Sequence, residues 1–176
     1  MKTILLKFAG PLQSWGSNSN FENRYTDYYP SKSAVIGLIA AALGYRKAND
    51  KEIVKLNNLD FAVRIDQRGN LLKDYQIARS YKKEKIEVDK TYVTSRYYLE
   101  DAVFVVALSG DSDMVDKLLD ALNTPYFQLS LGRRSVPPTA DFILGAEEGN
   151  AIDLLENLPW QAADWYIKKS KKKWLI

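Results

Sequence analysis

Ala102-Val103-Phe104-Val105-Val106-Ala107-Leu108 is a near-continuous apolar run, rich in β-branched residues, and it predicts a buried strand. Asp111 or Ser112 then opens a helix that sets Met114, Val115, Leu118, Leu119 and Leu122 on one face. A further strand is expected near Tyr126–Leu131, before Gly132, two arginines and a Pro137-Pro138 break. On the N-terminal side, residues 71 to 99 are extended, charged and tyrosine-rich, with no steady helical period. Before them Phe61, Val63 and Ile65 alternate with polar or small residues, a half-buried strand closed by Arg68-Gly69-Asn70.

Further toward the N-terminus, a short helix is expected near Asn49 or Asp50, with Ile53, Val54 and Leu56 facing inward. Ala34–Leu43 reads as a helix capped by Ser31 or Ser33 and stopped by Gly44. It is apolar nearly all round, so it belongs against a sheet. A polar and aromatic loop, Leu12 to Pro30, separates it from an opening strand, Lys2–Ala9, that stops at Gly10-Pro11. The order is strand, helix, strand, long insertion, strand, helix, strand. That is an α+β chain with a ferredoxin-like (RRM-type) βαββαβ core and an insertion between the second and third core strands. The core domain is expected over residues 1–135, with the insertion at about 70–100. Residues 136–176 form a short extension with one helix, Ala151–Leu158, and a final basic strand.

The 176 residues suit one domain, and 46% apolar residues supply a core. The net charge is only +3, so a nucleic-acid partner has to be argued from where the charge lies. Cysteine is absent, which removes disulfides and thiolate metal sites and suits a reducing cytoplasm. Histidine is absent as well, and with it the commonest general acid/base and metal ligand. No motif calls for a cofactor. Lys7 interrupts the first apolar run short of a leader's core, and Ala34–Leu43 is about half of a membrane span. The expectation is a soluble cytoplasmic protein with no membrane partner.

Four ordered blocks resemble the CasD family, the type I-E Cascade subunit within the fifth Cas family of CRISPR proteins. They are Gly10-Pro11-Leu12-Gln13-Ser14-Trp15-Gly16, then Tyr29-Pro30-Ser31-Lys32-Ser33 running into a small-residue helix, then Leu131-Gly132-Arg133-Arg134-Ser135-Val136-Pro137, and finally Asp164-Trp165-Tyr166-Ile167-Lys168. The chain is shorter than usual for the family, chiefly between Pro138 and Trp160 and inside the insertion. The resemblance implies a non-catalytic subunit that caps a surveillance complex in antiviral defence. Such a subunit holds the repeat-derived 5′ handle of the CRISPR guide RNA and contacts the backbone-forming and large subunits. The insertion would be its protruding thumb, while base pairing reads the target.

The candidate RNA contacts follow from chemistry and from these blocks. Ser31, Lys32 and Ser33 stand at a helix start, where unpaired N–H groups favour phosphate; a plain cap with a solvated lysine is the alternative. Gln13 and Ser14 are donors in a loop whose glycines permit close backbone approach, with Trp15 read as packing. Arg133 and Arg134 carry forked guanidiniums, and strand alternation would send them to opposite faces, so one contacts RNA. In the insertion Arg79, Lys82, Lys83, Lys85, Lys90 and Arg96 outnumber Glu84, Glu87 and Asp89, with tyrosines between them. Cations with interleaved rings suit single-stranded RNA, with Lys82, Lys83, Lys85 and Arg96 the chosen contacts. Lysines also cluster between Lys168 and Lys173.

Two rivals stand beside this assignment. A ribonuclease processing precursor CRISPR RNA at the repeat would have to use a lysine or tyrosine of strongly shifted pKa, with Tyr25, Tyr28 or Lys32 available. A generic RRM-like module would need stacking aromatics on an open sheet face, and Phe104 lies in a run read as buried.

Overall fold

A computed structural model describes residues 1–16, 19–46, 48, 50–81 and 88–173. The opening strand β1 (Lys2–Ala9) forms as expected, followed by two short strands, β2 (Leu12–Gln13) and β3 (Asn23–Arg24). Helices α1 (Lys32–Ala42) and α2 (Asp50–Leu56) precede β4 (Asp60–Gln67), and a long hairpin of β5 (Asn70–Tyr81) and β6 (Val88–Glu100) leads into β7 (Val103–Gly110). Helix α3 (Ser112–Asn123), β8 (Ile143–Glu148), α4 (Ala151–Asn157) and α5 (Asp164–Lys173) complete the chain.

The main sheet has the order β4-β7-β1-β8, and every neighbouring pair is antiparallel. In core-strand terms this is 2-3-1-4, so the fold is ferredoxin-like. Alternation along β1 divides two cores. Ile4, Leu6 and Phe8 pack with α1 and α3, whereas Leu5 joins Val105, Ala107 and the α4 residues Ala151 and Leu155. Residues from Val103 to Leu108 in β7 are buried on both faces, which is why its sequence shows no polar phase.

Four expectations are corrected. Tyr126–Leu131 is not a strand. The amide groups of Tyr126 and Phe127 donate to the Ala42 and Ala41 carbonyls (2.9 and 3.2 Å), so this segment satisfies the open C-terminal turn of α1. The fourth core strand is β8, beyond residue 135, and it takes the free edge of β1. The basic C-terminal segment is helix α5, with Asp164 in its first turn and lysines toward its end, both favourable to the helix dipole. In α2, Leu56 is buried but Val54 faces solvent.

The hairpin extends directly from the core. Two residues join β4 to β5, and two join β6 to β7. Its strands pair along their length, Asn70↔Glu100 to Tyr81↔Val88, while β2 and β3 line the other edge of β6. Gly69 holds φ +69 at the root, where a β-carbon would stand 2.4 Å from the Glu100 carbonyl oxygen.

The segment after α4 is clamped to the end of β4. Arg64 binds Asp66 through two parallel bonds, Nε to Oδ1 at 2.6 Å and Nη2 to Oδ2 at 2.8 Å. Its remaining hydrogens go to the carbonyls of Leu155, Leu158 and Pro159, closing the C-terminal end of α4. The buried Asp66 carboxylate also accepts the Gln161 amide (2.6 Å), and Trp160 Nε1 donates to the Asp66 carbonyl (2.8 Å). Across the sheet, Lys7 pairs with Asp141 at 2.7 Å just before β8 and holds that carboxyl below its usual range.

Candidate nucleic-acid interface

The Gly10–Gly16 loop is held from beneath. Gln13 is fully buried, and its amide nitrogen donates to the Phe8 and Ala102 carbonyls (3.0 and 2.8 Å) while its oxygen accepts Trp15 Nε1 (3.2 Å). Every polar atom of that side chain is thus used inside the fold. Gln13 is therefore a strut and not the outward donor the sequence suggested. Trp15 is buried and stacks on Phe8, with centroids 5.6 Å apart and planes 14° apart, so its packing assignment stands.

Ser14 sits one step further out. Its amide donates to the Leu131 carbonyl (3.1 Å) and its hydroxyl to the Tyr97 carbonyl (3.2 Å). The two distant blocks, around residues 14 and 132, therefore touch backbone to backbone. Gly132 has φ +95, and a β-carbon there would stand 1.7 Å from the Ser14 carbonyl oxygen. Only glycine fits.

This contact opens a cavity of about 470 Å³ lined by Ser14, Phe21, Arg24, Tyr25 and Arg133, among others. Arg133 is half-buried, with its guanidinium 4.3 Å above the Tyr98 ring and Nη2 donating to the Arg24 and Tyr97 carbonyls (2.9 and 3.3 Å). Its Nη1 is buried and has no hydrogen-bond partner among the described residues. A charged donor left unsatisfied in this way is costly unless an acceptor arrives. Tyr25 stacks on Tyr97 (5.1 Å, 19°) yet keeps nearly half of its surface open. No carboxylate lines this cavity among the described residues. Beside it, a second hollow of about 440 Å³ follows the β3–β6 edge, where the exposed Phe21 meets Tyr92 edge to face at 6.1 Å. The half-buried Arg96 lies opposite Arg24 in the register of that edge.

The predicted contacts therefore separate. Ser14 and Arg133 come together in the groove, with Arg96 on the strand that borders it. Arg133 and Arg134 do diverge, but on a turn and not on a strand, and Arg134 is exposed outside the groove lining. Lys82, Lys83 and Lys85 lie outside the described residues. Ser31, Lys32 and Ser33 do not line the groove either. Ser31 caps α1, its hydroxyl accepting the Ala34 amide at 3.3 Å, and Lys32 donates to the Asn57 carbonyl beyond α2 at 2.6 Å. Ser31→Ala is accordingly expected to cost about 1 kcal/mol of stability, read by urea unfolding, with no change in RNA affinity.

Sequence reasoning missed Arg24 and Phe21, and it considered Tyr25 only for catalysis. Their signal was a cation between aromatics in the polar Leu12–Pro30 loop, a pattern recognised in the hairpin but not here. Among the described residues, no cluster of acidic side chains is grouped to hold a metal ion, and no helix is long and apolar enough to cross a membrane.

A ferredoxin-like core, a long hairpin grown from it and an acid-free groove of arginine and aromatic rings are features whose charge and shape suit a polyanion. The chain belongs to the family described as CRISPR-associated protein (Cas_Cas5), whose model matches residues 3–174. It is 31% identical over 156 residues to the CRISPR system Cascade subunit CasD of Escherichia coli (strain K12), covering 81% of this chain and 70% of that protein. A chain from a CRISPR RNA-guided surveillance complex matches with TM-score 0.76 and 38% identity, over 87% of this chain and 66% of its own length. A Cas protein crystal structure matches with TM-score 0.70 and 37% identity, over 90% of this chain and 71% of its own. The chain thus spans only about two thirds of the length of these relatives.

Proposed function

We infer that this chain is a non-catalytic subunit of a Cascade-type surveillance complex in CRISPR antiviral defence, holding the 5′ handle of the guide RNA. In the cytoplasm it caps one end of the complex, against the backbone-forming and large subunits. The likeness to the Escherichia coli Cascade subunit supports the assembly. The observation that carries the RNA role is Arg133, whose buried Nη1 lacks an acceptor at the wall of an acid-free groove. A phosphate oxygen would complete that guanidinium, and Tyr25 and Phe21 offer faces for bases. The hairpin's exposed Tyr75, Tyr81 and Tyr92, together with Lys82, Lys83 and Lys85, would extend the contact along the strand. Lys32 and Ser33 remain a secondary site beside the Ser31 cap, with Lys32 held at the Asn57 carbonyl beyond α2.

The test is handle RNA binding by Arg24→Ala and Arg133→Ala. Each loses a charge-assisted contact of about 1.5–3 kcal/mol, roughly ten- to a hundredfold in affinity. Each should also lower the log–log salt slope by about 0.7. Arg24 is exposed, so its variant should melt with the parent. Unchanged RNA affinity in both would remove the groove from the model. In the same incubations, with or without magnesium, the RNA should stay full length. A single cleavage at the repeat, lost in Tyr25→Phe, would establish the ribonuclease instead.

A further inference from the structure

Lys168 and Lys169 do not line that groove. Helix α5 lies where the hairpin leaves the core, on the β5 side of β6, whereas the handle groove borders the β3 side. Between α5 and the Arg68-Gly69-Asn70 turn is a cavity of about 330 Å³. Its cations are Arg68 from the turn and Lys169 from the helix, against one acid, Asp101. Neither cation has an ion-pair partner among the described residues. Lys168 is exposed beside them, and the backbone of α5 carries three more lysines, Lys171 to Lys173, in its last turn.

An aromatic wall stands next to this charge. Trp165 is 52% exposed, an unusual state for a ring of that size in a folded domain. It is fixed edge-on by Tyr166 (5.6 Å, 85°), which meets Trp160 edge-on in turn (6.0 Å, 75°). Trp160 is tied to β4 by its bond to the Asp66 carbonyl. The indole is therefore buttressed on one edge with an open face, which lowers the ordering cost of binding. Gln67 anchors the floor through the Asp101 carbonyl and the Ala163 amide.

We propose that the Trp165–Lys169–Arg68 cavity is a second single-stranded nucleic-acid site, separate from the handle groove. A base stacks on Trp165, Arg68 and Lys169 neutralise the flanking phosphates, and the exposed Lys168 adds charge next to them. Cations with a fixed, open indole are the combination that sequence-tolerant single-strand binding requires. An acidic peptide would satisfy the cations, but only a nucleic acid carries a stacking base beside every phosphate. The site stands or falls independently of the handle groove.

The probe is a fluorescent oligothymidylate, which carries no handle sequence, titrated against the full chain by anisotropy. Trp165→Ala should weaken binding by roughly five- to a hundredfold, the loss of one stacked base. Arg68→Gln with Lys169→Gln touches no core packing and should lower the salt slope by about 1.4, two single-strand phosphate contacts. Handle RNA affinity should stay at the parent value in both variants, and Arg24→Ala should show the reverse pattern. Unchanged oligothymidylate binding in both α5 variants overturns the site. So does a parallel loss of handle RNA, which would make the two surfaces one. Retained oligothymidylate binding with loss of a co-purifying complex subunit would make this a protein-docking face and equally overturn the proposal.

Discussion

Gly132→Ala is expected to destabilise the fold by about 3 kcal/mol or more and to abolish the groove with it. The left-handed backbone at φ +95 costs a non-glycine residue about 1–3 kcal/mol, and forcing a carbon into packed structure adds about 1–3 kcal/mol. The atom it meets is the Ser14 carbonyl oxygen, a backbone atom that cannot rotate aside. Relief requires the two loops to part, which breaks the bond from the Ser14 amide to Leu131 and lifts Arg133 from its carbonyl partners. Urea midpoints should fall, and handle RNA affinity should fall further than stability alone accounts for. Gly37→Ala is the internal control. Beyond the helix's own backbone and the neighbouring residues, no atom of the described residues lies within 4 Å of the added carbon, and the site is inside α1, so stability should rise by about 0.5–1 kcal/mol. Equal stability of Gly132→Ala and the parent would show that the two loops are not locked together.

The second large effect is expected at Arg64. Arg64→Ala leaves the buried Asp66 carboxylate without its cation and three carbonyls near the end of α4 without a donor. Breaking one side of such a pair costs about 3–5 kcal/mol. Arg64→Lys retains the charge but not the fork and should recover only part of the loss. Hydrogen exchange at Gln161 and Ala163, whose amides bind Asp66 and Gln67, should quicken before the central strands respond. If those amides remain as protected as in the parent, the clamp does not secure the C-terminal segment.

These residues also show what the sequence could convey. Strands β1 and β7 and helices α1 and α3 were legible because burial imposes an unbroken or periodic apolar pattern on them. The fourth core strand was not. Ile143–Glu148 contains a glycine and ends in two glutamates, while Tyr126–Leu131 has the stronger β composition. The difference was set by the carbonyls at the end of α1, which claim the amides of Tyr126 and Phe127. Helix α5 was misread for a similar reason: Trp165, Tyr166 and Ile167 favour strand locally, but the lysines after them are good helix formers. Within the site, Ser14 and Arg133 could be singled out from the sequence, and the fold places both at one groove. The burial of Gln13 was not legible, because its partners Phe8 and Ala102 converge on it only once the sheet has formed.

The groove joins residues from widely separated points on the chain. Ser14 and Arg24 come from near its start, Tyr97 and Tyr98 from its middle, and Gly132 and Arg133 from its last third. During synthesis the polypeptide emerges from its N-terminus, so the first wall of the groove exists well before the second. A product that stops before Gly132 lacks the second wall, so under the proposed function guide capture requires synthesis to have passed Gly132 and the two loops to have met.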